Sequence, residues 1–369
     1  MIKFTISFFF LCLNFIAFSQ NQENNYSIVN PTFLDSSIAN YNLFLSSELH
    51  WNKNNLERRK MIIKYLVNQK SLNTILLEDS YAFSYWINLY IKMGNENLLK
   101  ELLSHYYYAD YYYKDIKGGN EKRTQYVNSF QYYVWLREFL TTKKLNIETK
   151  GIDLEYIDKP KPIIWSFLKY INLLEKNDTL KVLLADEIKE AEKLFNTQGI
   201  KISDFKKWFN HLDNNVKNKG IKDDFLVNYV FNITQSIPFA RGSKMNYREE
   251  ELFKNFNKYI SLNEKVYGQF GLPHITLSNG KRTALQSFAF KLNQNKIYQG
   301  KILSIGLVCY ECKMAEYPSR DYYQPFLTKG EFERLSPEFK KLPSNTFVDL
   351  RKTDEKIKEY VQLLLVVHD

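Results

Sequence analysis

The chain has 369 residues, 44% of them apolar, and carries 51 Lys and Arg against 41 Asp and Glu for a net charge of +10. The lysines are scattered and mixed with acids, as in KNKGIKDD, KKLNIETK and KIKEY, which argues for a solvated surface and against a nucleic-acid groove. The length suffices for one large domain or for a core with an inserted subdomain.

The first twenty residues, MIKFTISFFFLCLNFIAFSQ, have a lone Lys3, an apolar run from Phe8 to Phe18, and small residues Ala17 and Ser19 before Gln20. That is the pattern of a secretory signal peptide cleaved after Ser19. The run is too short, and too abruptly followed by polar NQENN, for a membrane span. No cysteine follows it to carry a lipid anchor, so the expected product is soluble in the periplasm or outside the cell. Cys12 leaves with the leader. Cys309 and Cys312 remain in VCYEC, as a structural disulfide or as idle thiols. No further ligand pair is spaced to build a zinc site with them, and the motif closes a strand where a thioredoxin-type motif opens a helix.

NYNLFLSS reads as a short buried strand and runs into FLSSELHW. Side chains at i and i+2 of a strand share a face, so Glu48 and His50 point the same way at its carboxyl end if the extended backbone persists. That edge of an open α/β sheet is where ligands and catalytic groups collect. The alternative is a Glu and a His at an exposed loop start. Residues 54–69 have helical spacing, with Glu57, Lys60, Lys64 and Asn68 on one polar face. Arg58 and Arg59 both fall on the apolar side, and a buried guanidinium without an acid is costly. SLNTILLEDS is an unalternating strand covered on both faces. It ends in Glu78, and Asp79 or Ser80 can cap the helix YAFSYWINLYIKM. Residues 40–93 are thus expected to form a right-handed βαβ unit, with Glu48, His50 and Glu78 at adjacent strand ends and Arg58 placed to meet them.

A tyrosine-rich helix over 98–116 suits a core or cleft wall. A third strand lies within 145–157. Residues 160–260 read as successive helices, and strands return in KVYGQFG, KILSIGLVCY, TFVDLR and VQLLLVV. The expected organisation is a leader (1–19), an α/β half (20–159), a helical insertion (160–260) and a second α/β half (261–369). The fold class is α/β, a mostly parallel sheet with flanking helices and that inserted helical subdomain. Gly268 and Gly271 permit a turn after KVYGQFG and Pro273 stiffens it, so His274 is expected at the ligand-binding edge.

These pieces together resemble the erythromycin esterase-like family, within a superfamily that also holds ChaN-type haem-binding proteins and Tiki-type proteases. The Gly-Glu-x-His signature stands here as Ser47-Glu48-Leu49-His50. Its helix arginine matches Arg58, its strand-end glutamate Glu78, and its GID element Gly151-Ile152-Asp153. The helix start that follows the family's arginine-acid pattern is REEELFKN, giving Arg248, Glu249, Leu252 and Asn255. The late histidine in a glycine-rich turn is His274, and the second histidine of some esterases falls at Gly271. The resemblance implies hydrolysis of an ester, lactone or related bond in a small-molecule substrate. His50 would be the general base for water, Glu48 and Glu78 its orienting partners, and Arg58 and Arg248 the balancing cations. His274 would polarise the carbonyl or protonate the leaving alcohol, and Asp153, Arg248 and Asn255 would contact substrate. The absence of a GxSxG motif favours direct attack by water, without a cofactor. Two alternatives stay open. A divalent metal could be held by Glu48, His50, Glu78 and His274, or the cleft could hold haem or another apolar ligand without turnover. Arg58–Glu78 could also be only a structural ion pair, and His274 a packed turn residue. His105, His211 and His368 read as surface or structural.

Overall fold

The computed structural model describes residues 27–29, 38, 40–49, 52, 54–69, 72–108, 119–176, 178–239, 245–279, 286–314, 317–323, 327–351 and 356–368. The expected leader and His50 lie outside these residues. Among the described residues nine strands form one sheet: β1 Ser27–Val29, β2 Leu43–Glu48, β3 Thr74–Ser80, β4 Glu148–Asp153, β5 Val266–Gly271, β6 Ile302–Met314, β7 Tyr317–Tyr322, β8 Thr346–Asp349 and β9 Leu363–His368. Their order is β1-β8-β9-β6-β2-β5-β3-β4, with β7 on β6. Every pairing from β9 across to β4 is parallel, and only β1–β8, β8–β9 and β6–β7 are antiparallel. The sheet is therefore mostly parallel, and its central strands are the unalternating apolar runs that cover on both faces requires.

The expected adjacency of β2 and β3 does not hold, because β5 lies between them. Val266 is in register with Leu43 on one side and Thr74 on the other. All six residues of β5 are buried, as befits a strand with a neighbour on each edge and cover on each face. A local strand-helix-strand pattern fixes handedness but leaves room for a strand that arrives much later in the chain.

Between β2 and β3 runs α1 Asn55–Asn68. From β3 to β4 the chain passes through α2 Tyr81–Met93, α3 Glu96–Tyr108 and α4 Gly119–Thr142. Ser80 caps α2, its Oγ accepting from the Phe83 N–H at 3.3 Å. Between β4 and β5 come α5 Pro160–Leu173, α6 Thr179–Leu183, α7 Ala185–Asn196, α8 Ile202–Asn218, α9 Asp224–Phe239 and α10 Met245–Tyr259. Their shared core is aromatic, with Phe167, Phe205, Trp208 and Tyr229 buried against one another. Two side chains fasten this block to the end of β4: Asn232 donates to the Asp153 carbonyl and Asn255 to the Ile152 carbonyl, each at 2.9 Å. After β5 come α11 Phe288–Gln294 and α12 Lys329–Phe339. Among the described residues no helix is long and apolar enough to cross a membrane. Cys309 and Cys312, both buried on β6, are joined as a disulfide.

β3 and β4 slip in register between Leu77, opposite Gly151, and Ser80, opposite Asp153. This bulge brings the β3 backbone hard against Gly151. A Cβ there would lie 1.9 Å from the Ser80 carbonyl oxygen and 2.7 Å from that of Asp79. Gly151→Ala is therefore expected to destabilise by at least about 1–3 kcal/mol, since backbone cannot yield as a side-chain tip does. Urea denaturation checks this, and an unchanged midpoint would show that β3 and β4 are not held this closely. Ser47, at the signature's glycine position, sits in ordinary strand register with Phe270, and the backbone there makes no demand for glycine.

Candidate functional site

The carboxyl ends of β3, β4 and β5 converge on one guanidinium. Arg248, in the first turn of α10, donates from Nε to Asp153 Oδ1 at 2.9 Å and from Nη2 to Asp153 Oδ2. The same Nη2 reaches Glu78 Oε1 at 2.8 Å, and Nη1 lies 3.1 Å from His274 Nε2. Glu78 is held from the other side as well, where its Oε2 accepts the Gly271 N–H at 2.7 Å. The Arg248 and Glu78 side chains are each 12% exposed and that of Asp153 2%, so this is a buried, forked ion cluster and not a surface pair. Burial opposes the charge on Arg248, but Asp153 and Glu78 outweigh it and hold the guanidinium firmly protonated.

His274 sits in the 3-10 turn Leu272–Ile275 that follows β5 directly. Its Nε2 is 3.3 Å from Glu78 Oε1 and its Nδ1 faces Glu249 Oε1. Glu249 is itself fixed, its Oε2 accepting the Phe288 N–H at 2.7 Å. Burial by itself pushes the imidazole down; the carboxylates of Glu78 and Glu249 more than offset this and raise it to about 10. The ring is thus an imidazolium at neutral pH, with Glu78 shared between two cations and the Arg248 Nη1 lying beside Nε2 without donating to it. A ring in that state polarises or protonates; it does not take a proton from water.

A second pair lies across β5. Glu48, at the end of β2, meets Arg59 at 3.4 Å, and Arg59 Nε donates to Gln269 Oε1 at 2.9 Å while its guanidinium lies 5.2 Å from the Tyr132 ring centroid. This corrects the expected role of Arg58. That residue is buried and donates to Asn52 Oδ1 at 3.2 Å, whereas the guanidinium on Glu48 is its neighbour's and the one on Glu78 is Arg248. A helical wheel shows that both arginines face inward; the insertion of β5, with Gln269 pointing at α1, decides which one meets the carboxylate. Asn255 is fully buried and its amide nitrogen is taken by the Ile152 carbonyl, so it ties α10 to β4. His105 stacks on Trp165 and His368 on Tyr310.

Two residues next in sequence to these strand ends feel their charges. Asp79 follows Glu78 on the bulge, where the sequence suggests only a helix cap. Burial raises its carboxyl well above the ordinary value; Arg59 opposes this, and Asp153, Glu78 and Glu48 add to it. Tyr156, just beyond β4, is 53% exposed, yet burial of its hydroxyl and the charge of Asp153 push it up. The run TILLEDS carries two consecutive acids, and the signal available was that two carboxyls stand at the end of one strand. Among the described residues no group of three or more His, Cys, Asp or Glu is placed to hold a metal ion. The Arg248 guanidinium occupies the space among Glu78, Asp153 and His274, where their lone pairs would have to meet a divalent cation.

No protein-family model matches the chain, and no curated protein matches it. Solved structures do share its fold. A Bacillus cereus protein aligns with a TM-score of 0.59 at 12% identity, covering 93% of this chain and 95% of that one. A mutant of erythromycin esterase EreC in its open conformation aligns at 0.56 and 10% identity, covering 91% and 92%. A succinoglycan biosynthesis protein aligns at 0.59 and 12% identity, covering 93% and 94%. At such identities the likeness is one of fold.

Proposed function

We propose that the protein is an exported hydrolase of the erythromycin esterase kind, which directs water at the carbonyl of an ester or lactone. The observation that carries this reading is the buried cluster of Arg248, Glu78, Asp153, His274 and Glu249 at the carboxyl end of a parallel sheet. Burying five ionisable side chains is expensive, and their fixed geometry is of use where charge develops during a reaction. The erythromycin esterase fold supports it as well.

In this mechanism His50 takes the proton of the attacking water while Glu48, steadied by Arg59, orients the base. The water oxygen bonds to the carbonyl carbon, and negative charge moves onto the carbonyl oxygen. The imidazolium of His274 and the guanidinium of Arg248 stabilise that charge. Collapse of the tetrahedral intermediate breaks the C–O bond and releases acid and alcohol. A site for haem or another apolar ligand would have little use for such a set of charges.

The test is turnover by the purified chain on short-chain esters, lactones and amides, with and without chelator. We expect ester or lactone hydrolysis that survives chelation, and a loss of roughly a hundredfold or more in kcat for His50→Ala, the scale of a missing general base. No turnover across the panel, or turnover abolished by chelator, would overturn the reading.

A further inference from the structure

Glu48 and His50, the orienting acid and the base of the mechanism above, are separated by the single residue Leu49. β2 runs in register with β6 only as far as Ser46 and with β5 as far as Glu48, so Leu49 is the first residue past the paired sheet. Its backbone is held instead by Asn55, the first residue of α1. Asn55 Nδ2 donates to the Leu49 carbonyl at 2.6 Å, and Asn55 Oδ1 accepts the Leu49 N–H at 3.4 Å. A side-chain amide that meets both the N–H and the C=O of one residue reproduces the two-bond exchange of a paired strand. The Asn52 N–H also donates to the Leu49 carbonyl, at 3.0 Å. Leu49 and Asn55 are both buried, so the clamp lies out of water. The helix itself does not ask for asparagine here. Asn55 has low helix propensity, and the N-cap position belongs to Asn54. Arg59 lies one turn further along the same face of α1, and Gln269 joins the two. Its Oε1 accepts from Arg59 Nε at 2.9 Å, and its Nε2 donates to the Asn55 carbonyl at 3.5 Å. One helix face thus holds the Glu48 carboxylate through Arg59 and the backbone that follows it through Asn55.

We propose that Asn55 is a positioning residue of this site, which fixes the backbone between Glu48 and His50 and so aims the base at the attacking water. The inference rests on the hydrolase reading above and names what holds that reading's base in place. A residue next to a fixed peptide leaves the chain in a fixed direction, and a catalytic group must be held to within a fraction of an ångström to work. Asn55 itself touches neither water nor substrate in this scheme. It acts through Leu49.

The experiment is a double-mutant cycle on 4-nitrophenyl butyrate with wild type, Asn55→Ala, His50→Ala and the double variant. Asn55→Ala is expected to lower kcat about a hundredfold, the scale of a misplacement of about 1 Å, with KM changed by less than about threefold. In the His50→Ala background the same substitution should cost less than about threefold, because no base is left to aim. Equal losses in both backgrounds, a loss carried by KM, or no loss would overturn the assignment while leaving the hydrolase reading standing. Asn55→Asp decides the matter if the alanine variant does not fold. It keeps an acceptor for the Leu49 N–H but sets a carboxylate oxygen against the Leu49 carbonyl, so it should lose kcat as the alanine variant does; a wild-type kcat refutes the clamp. A wild type inactive on every ester sinks the hydrolase reading and the aiming of its base together. Amide hydrogen exchange then reads the clamp without turnover. The Leu49 N–H should exchange about tenfold faster or more in Asn55→Ala while those of Leu45 and Leu76, inside the sheet, hold their rates. An unchanged Leu49 amide refutes the clamp whatever the turnover.

Discussion

Arg248→Met is expected to cost about 3–5 kcal/mol of folding stability, because it strands Glu78 and Asp153 without their cation in a buried site. The cost does not come from the strength of the ion pair itself. Desolvation consumes much of what the charges gain from one another; what is lost is the compensation for carboxylates that folding has already taken out of water. Arg248→Lys separates charge from geometry. A lysine restores the positive charge at one point but cannot fork to both Asp153 oxygens while reaching Glu78. It should recover part of the stability and little of the activity, since the guanidinium also fixes Glu78 beside His274. Urea denaturation and kcat on the best ester are the measurements. A Lys variant with full activity would show that Arg248 supplies charge alone, and a Met variant of wild-type stability would show that the cluster is not buried in solution.

The parts of this architecture legible in the sequence are those written in local pattern. β2, β3, β5 and β9 are apolar runs without alternation, and the strand readings fall on them because double cover leaves no polar side to show. α2 spans the run expected for it, since Ser80 starts it with a side-chain cap and Gly94 ends it in the left-handed region at φ 71°. α4 is not legible as a helix in the sequence because Tyr132, Tyr133, Trp135 and Phe139 scatter aromatics around its circumference and blur the helical period. The place of β5 was illegible for another reason: pairing partners are chosen by contacts between segments nearly two hundred residues apart. That one strand moved the site's second carboxylate pair to Arg59, put Gln269 against it, and delivered Gly271 and His274 to Glu78. The bulge between β3 and β4 left a single trace, the glycine of GID, whose missing side chain admits the Ser80 carbonyl.

His274 is where stability and catalysis meet, and its pH dependence separates them. The imidazole is raised to about 10 in the folded state from an ordinary value of 6.5. A group raised on folding contributes stability that is fully present below its unfolded value and is lost as pH climbs through its folded one. The wild type should therefore weaken steadily between pH 6.5 and about 10. Lysines and tyrosines also titrate near the top of that window, so the quantity to measure is the difference between wild type and His274→Gln. Glutamine keeps a donor near Glu78 and Glu249 but carries no charge for them. The wild-type advantage should be largest below about pH 6.5 and shrink toward alkaline pH. Turnover should behave differently. If the imidazolium polarises the substrate carbonyl, His274→Gln lowers kcat by roughly a hundredfold or more at neutral pH, where the folded variant is still the dominant species. Its residual rate should then lack the alkaline fall that deprotonation of His274 imposes on the wild type. A variant that loses stability and keeps its kcat would confine His274 to packing between two carboxylates. One that loses kcat with no change in the pH dependence of stability would mean the ring is neutral in the folded protein and contributes to turnover without a charge of its own.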